Sequence, residues 1–221
     1  IQLSTIAAVF TPGVNTESDN SQAVQGSSAQ PHVGLLIGTR RSTGAVAAGV
    51  VTPITGAPQG GEYFGRGSQL AQMIEWWLQA NPNTELFAIA LDEDAAGAKA
   101  TATLTVTGPA TADGTIELIW CGRRRRVGVT KGDSATTIAL AIKTADDNDG
   151  DSATTTTVAA GVATSTARHK GAYGNDLAIF KNYYAGQKLP AGVGLTITAF
   201  TGGTADPDVA DAIAALGGEK Q

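Results

Sequence analysis

Two unbroken apolar runs flank one amphipathic helical pattern between Val33 and Leu91, and that order leaves few folds open. Val33 to Gly38 reads Val-Gly-Leu-Leu-Ile-Gly, set between Pro31 and the Arg40-Arg41 pair. A run without polar alternation is the pattern of a strand buried on both faces. Ser68 suits an N-cap, and Leu70, Met73, Ile74, Trp77 and Leu78 then recur at three- and four-residue spacing until Asn81-Pro82 stops the helix. Glu85 to Leu91 supplies the second apolar run, closed by Asp92-Glu93-Asp94. Strand, crossover helix and strand in this order predict parallel strands, the unit of an α/β core.

The flanking sequence has a different character. Residues 1–31 hold Pro12, Gly13, Gly26 and Pro31 among Ser, Thr, Asn and Gln with no sustained period, which predicts an extended N-terminal arm. From about Gly97 the chain turns Thr-rich, and Thr101 to Thr107 alternates at period two before Gly108-Pro109. Ile116–Trp120 and Arg126–Thr130 read as paired strands around Gly122, Ser134 to about Ala145 as a short helix, and 154–160, 162–168, 176–183 and 193–200 as further strands. A return helix after Pro207 would place Val209, Ile213 and Leu216 on one face. The expected organisation is an arm over 1–31, an incomplete α/β core over 32–97 and 204–221, and an inserted mainly-β (α+β) domain over 98–203.

Composition excludes several function classes. A length of 221 residues suits one large or two small cores. The net charge of −5 gives no overall attraction to nucleic acid or anionic membrane, so neither is an expected partner. Aromatics are only 5% of a chain dominated by Ala, Gly and Thr, a composition suited to thin sheets and close subunit contacts. One cysteine, Cys121, cannot form an intramolecular disulfide, and no stretch approaches the about 20 apolar residues of a membrane-spanning helix. The single thiol makes no demand for an oxidising compartment, so a cytoplasmic product is expected, and the N-terminus lacks the regions of a signal peptide.

No chemistry-bearing constellation is complete. Gly65-x-Gly67 precedes a helix but lacks a third glycine and the Lys-Ser/Thr of a phosphate loop, which leaves a loop needing positive φ. Asp146-Asp147-Asn148-Asp149-Gly150-Asp151 puts Thr156 where a calcium loop needs its bidentate Glu, so a solvated loop is expected. Arg123 to Arg126 lacks interleaved aromatics and reads as a solvated or ion-pairing strand, with one or two arginines free to pair across a subunit contact. Cys121 with His32 or His169 lacks an orienting third group. Arg168-His169-Lys170 reads as a polar cluster flanking a turn in which Asn175 and Asp176 cap backbone groups. No enzyme activity, metal or cofactor is expected.

Four stretches in register carry a resemblance. They are Thr11-Pro12-Gly13-Val14 with Glu17 to Ser21; Phe64-Gly65-Arg66-Gly67-Ser68 running on to Met73; Arg168-His169-Lys170-Gly171 with Gly174-Asn175; and Gly202-Gly203 with Pro207-Asp208. Together they resemble the Mu-like contractile bacteriophage tail sheath proteins. The resemblance implies a structural virion protein, not an enzyme, that polymerises around a tail tube and contracts to drive it through the host envelope. It implies other copies of the chain in stacked six-membered rings as partners, with tail tube, baseplate and tail terminator proteins. It implies assembly in the host cytoplasm, no nucleic acid and no membrane insertion. Because family members are much longer and the first residue is Ile, the chain is expected to be the N-terminal portion of one.

The arm residues Thr11, Pro12, Gly13, Val14, Asn15, Thr16 and Glu17 are then expected to add a strand to a neighbouring subunit. Phe64, Gly65, Gly67, Ser68, Arg168, His169, Lys170, Gly171, Gly174 and Asn175 are expected to have structural roles. Asn15 and Ser18 stand where the family pattern has Tyr and Ile, making this arm more polar. The sheath of a phage-tail-like bacteriocin or related contractile injection system is the near alternative. A carbohydrate-binding surface module using Trp120, Tyr173, Tyr183 or Tyr184 is the distant one, and a nucleotide-dependent enzyme is disfavoured by the failed phosphate motifs.

Overall fold

The computed structural model describes residues 32–217, which form three sheets and four α-helices in a mixed α/β arrangement. The arm residues singled out above lie outside the described residues. In the first sheet, β1 (Val33–Thr39) pairs in parallel with β3 (Glu85–Leu91), from Val33 opposite Glu85 to Thr39 opposite Leu91. β2 (Val51–Ile54) pairs antiparallel on the other side of β3, and neither it nor α1 (Ala57–Phe64) is announced by hydrophobic period. β3 is therefore central, and its Leu86, Ala88, Ile89 and Ala90 are buried. β1 departs from expectation. It lies at the sheet edge with Val33 and Leu35 exposed, so its apolar run reports an edge and not burial on both faces.

α2 (Gln69–Ala80) forms as its sequence dictates: the Ser68 hydroxyl accepts from the Ala71 amide at 3.1 Å, and Leu70 and Ile74 are fully buried. Burying each such side chain stabilises by about 1.5–3 kcal/mol before entropy is counted. Gly34 and Gly38 let α2 lie close on β1, since a Cβ on Gly34 would stand 2.7 Å from the Trp77 ring. α4 (Ala210–Gly217) corrects the expected return helix. Ala212 and Leu216 pack with Ile89 and Leu91, while Val209 and Ile213 are exposed, because only one side of this short helix meets the sheet.

The remaining elements build a separate core. β10 (Gly194–Ile197), β4 (Lys99–Thr107), β8 (Val162–Lys170) and β7 (Thr154–Ala159) form an antiparallel sheet in that order. β6 (Arg123–Val129), β5 (Gly114–Trp120) and β9 (Ile179–Lys181) form another. Ser134 caps α3 (Ala135–Asp147), which packs on β4, β6, β7 and β8 through Ile138, Ala139 and Ile142. The nineteen buried residues of this cluster all fall between Ala100 and Phe200, so its packing draws nothing from the first sheet. The strand expected over 176–183 shrinks to β9, preceded by a 3₁₀ turn at Ala172–Asp176.

Candidate functional site

The motif residues converge where the first sheet meets the β-rich region. Phe64 is buried at the end of α1, and Gly65 and Gly67 adopt φ of 87° and 73°, as a positive-φ loop requires. That loop abuts Ser152 and Arg168: a Cβ on Gly67 would lie 2.3 Å from the Ser152 carbonyl oxygen and 3.2 Å from Arg168 Cδ. The Arg168 guanidinium donates to the Thr154 carbonyl at 2.9 Å, and Lys170 donates to the Ala95 carbonyl at 3.0 Å. Asn175 and Gly203 exchange two hydrogen bonds, at 3.0 and 2.8 Å, which ties the 3₁₀ turn to the Gly202-Gly203 segment. A Cβ on Gly203 would meet the Gly171 carbonyl oxygen at 2.4 Å, and one on Gly174 would meet Ala100 Cβ at 3.1 Å, so both approaches are close.

The seam is polar. Arg66 pairs with Asp151 through two bonds of 2.9 Å, an interaction that holds the Asp151 carboxyl below the usual carboxylate range. Gln72 donates to the Asp151 carbonyl at 3.2 Å, Arg123 pairs with Glu75, and the Thr39 and Tyr173 hydroxyls lie 2.6 Å apart.

Three expectations change here. The Asp146–Asp151 segment is not merely solvated: Asp146 is buried and accepts from Arg125, Ser152, Thr154 and Thr156. Arg125 is buried too, 5.0 Å over the Trp120 ring. All four arginines of the basic run have partners within the chain, Arg123 and Arg125 on the inner face and Arg124 and Arg126 sharing Glu117 on the outer one. Strand alternation separates the pairs, and the acid loop supplies what the arginines would otherwise seek elsewhere. Third, His169 does not serve the turn as a polar group. Only 3% exposed on β8, it stacks on Tyr173 with ring centroids 4.8 Å apart, and neither ring nitrogen has a hydrogen-bond partner among the described residues. Burial, reinforced by Lys99 and Arg41, lowers its pKa to about 4.

Cys121 and His169 line one cleft, but their chemistry opposes catalysis. Burial pushes the thiol up to about 12 while the imidazole falls to about 4, which is the reverse of a thiolate–imidazolium pair. Trp120 is fully buried and donates to Thr154 at 2.8 Å, so the carbohydrate-module reading loses that aromatic. Among the described residues no group of three His, Cys, Asp or Glu is placed to hold a metal, and no helix is long and apolar enough to cross a membrane.

No protein-family model matches the chain. It is 37% identical over 213 residues, 96% of its length, to the Mu-like prophage FluMu tail sheath protein of Haemophilus influenzae. The chain spans 44% of that protein's length. Identity of this degree along nearly all of its residues bears out the resemblance to Mu-like phage tail sheath proteins that the motifs carry.

Proposed function

We propose that the protein is a structural subunit of a contractile phage tail, the N-terminal portion of a sheath protein that polymerises around the tail tube. The observation that carries this reading is the 37% identity to a tail sheath protein over 96% of the chain. In this reading, copies stack as six-membered rings between baseplate and tail terminator, and contraction drives the tube through the host envelope. Assembly takes place in the host cytoplasm and the product resides in the virion. The arm residues Thr11 to Glu17 add a strand to a neighbour's sheet, where main-chain hydrogen bonds carry the linkage while a connector lets subunits rotate.

The division into arm, α/β core (32–97, 204–221) and inserted domain (98–203) belongs to the same proposal. Its support is the confinement of one hydrophobic cluster to residues 100–200 and the polar character of the seam. The motif residues at that seam hold the two parts in a fixed orientation. Negative-stain electron microscopy of the full-length protein tests the function. Tubes or stacked rings are the expected outcome, and a product that stays monomeric at high concentration and across salt conditions overturns the reading.

A further inference from the structure

The four exposed aromatic side chains among the described residues are Trp76, Phe180, Tyr183 and Tyr184. In a chain with 5% aromatics they are not scattered. Phe180 and Tyr183 have ring centroids 5.8 Å apart, Tyr183 and Tyr184 5.2 Å apart, and Trp76, Phe180 and Tyr183 line one cleft of about 510 Å³. The cleft runs between α2 and the β5–β6 turn, with Met73, Ile119 and Leu177 as apolar wall. Clefts between packed parts of a molecule are where ligands bind, and aromatic-rich exposed patches are where partners dock.

Among the described residues the one formally charged side chain lining this cleft is negative. Asp176 is the only carboxylate among the described residues lining it, and no Lys or Arg among them does. His169 lines it as well, buried and without a partner at either nitrogen among the described residues. A neutral imidazole offers one acceptor nitrogen and one N–H, and leaving such a buried group unmatched costs about 1–3 kcal/mol. The aromatic cluster already holds one guanidinium, since Arg124 lies 5.9 Å from the Tyr184 ring centroid. Aromatic faces, a carboxylate and an acceptor nitrogen together match a side chain that is cationic, carries only donors and has an apolar stem.

We propose that this cleft is a docking site for an arginine or lysine side chain presented by a segment of a partner protein. The aliphatic stem packs on Met73, Ile119 and Leu177, while the charged head meets Asp176 and the aromatic faces. A saccharide is less well matched, because the Gln69 Oε1 already accepts from Thr39 and the Gln72 amide already donates to the Asp151 carbonyl, so neither amide is free for bidentate pairing with hydroxyls.

The test is an NMR titration of the 221-residue protein with the peptide acetyl-Gly-Leu-Arg-Leu-Gly-amide, following the Trp76 indole N–H and the His169 ring nitrogens. Matched peptides carry citrulline or Glu in place of Arg, and maltohexaose serves as the saccharide probe. The expected result is saturable shifts of both groups by the Arg peptide, with roughly tenfold weaker binding of the citrulline peptide and a similar loss in Asp176→Asn. Methyl signals of Leu104 and Ile138 report that the variant is folded. No shift with the Arg peptide at millimolar concentration, equal binding of the citrulline or Glu peptide, full affinity in folded Asp176→Asn, or tighter binding of maltohexaose would each overturn the proposal.

Discussion

At the residue scale, the burial of Arg125 against Asp146 has a measurable consequence. Removing one partner of a buried ion pair strands the other, at a cost of about 3–5 kcal/mol, whereas replacing both with apolar residues is often neutral. Asp146→Ala should therefore lower the urea midpoint strongly, and Arg125→Met with Asp146→Leu should recover the part due to the stranded guanidinium, while the Ser152, Thr154 and Thr156 hydroxyls lose their acceptor in both. Near-additive effects in that cycle would contradict the coupling read from the geometry. His169 makes a second case. Its folded-state pKa of about 4 lies below the unfolded value near 6.5, so the unfolded chain binds more protons between those values. The stability it contributes is complete above about pH 6.5 and falls as pH drops toward 4, by about 2 kcal/mol between pH 7.5 and pH 5. Urea unfolding at the two pH values should show that difference, and His169→Leu should show less of it. Strand alternation in the arginine run was visible in the sequence, but its acid partners were not, since Arg125 and Asp146 meet only through the packing of β6 on α3.

At the element scale, local signals were read where a cap or a period expresses them. Ser68 and Ser134 cap the helices that their positions announce, and β4 keeps its period-two alternation. α1 was missed because Gly60 and Gly61 blur its period, and β2 because four residues carry too little pattern. The face of α4 was misassigned because Val209 and Ile213 carry the apolar signal while Ala212 makes the contact. The sequence marked Gly65-x-Gly67 as a loop needing unusual backbone, yet not what it abuts. Gly67→Ala tests that contact. The left-handed conformation costs a Cβ residue about 1–2 kcal/mol, and the Ser152 carbonyl 2.3 Å from the new atom forces the two parts of the seam to shift. Its melting temperature should fall by several degrees, with the largest amide shifts at Ser152 and Arg168. A change at Gly128, where an added Cβ meets nothing within 4 Å, is the control and should leave those amides unmoved.

At the scale of the whole molecule, the two cores answer different demands. The β-rich region closes its own hydrophobic cluster, while the first sheet leaves Val33 and Leu35 at an edge, with Val209 bare before α4 and Ile213 bare on it. A three-stranded sheet that meets α2 on one face and only the short α4 on the other, with exposed apolar residues at its edge, has surface left for further chain or further copies. The proposed linkage by the arm then gives a specific expectation. An unpaired segment rich in Pro, Gly, Ser and Asn buries too little apolar surface to offset its ordering entropy unless a neighbour's sheet receives it. Deleting residues 1–20 from the full-length protein should therefore abolish regular tubes without lowering the melting temperature of the remaining fold by more than a few degrees. Micrographs of intact tubes from the deleted protein would show that subunits connect by other contacts, while a large drop in melting temperature would assign the arm to the subunit's own core.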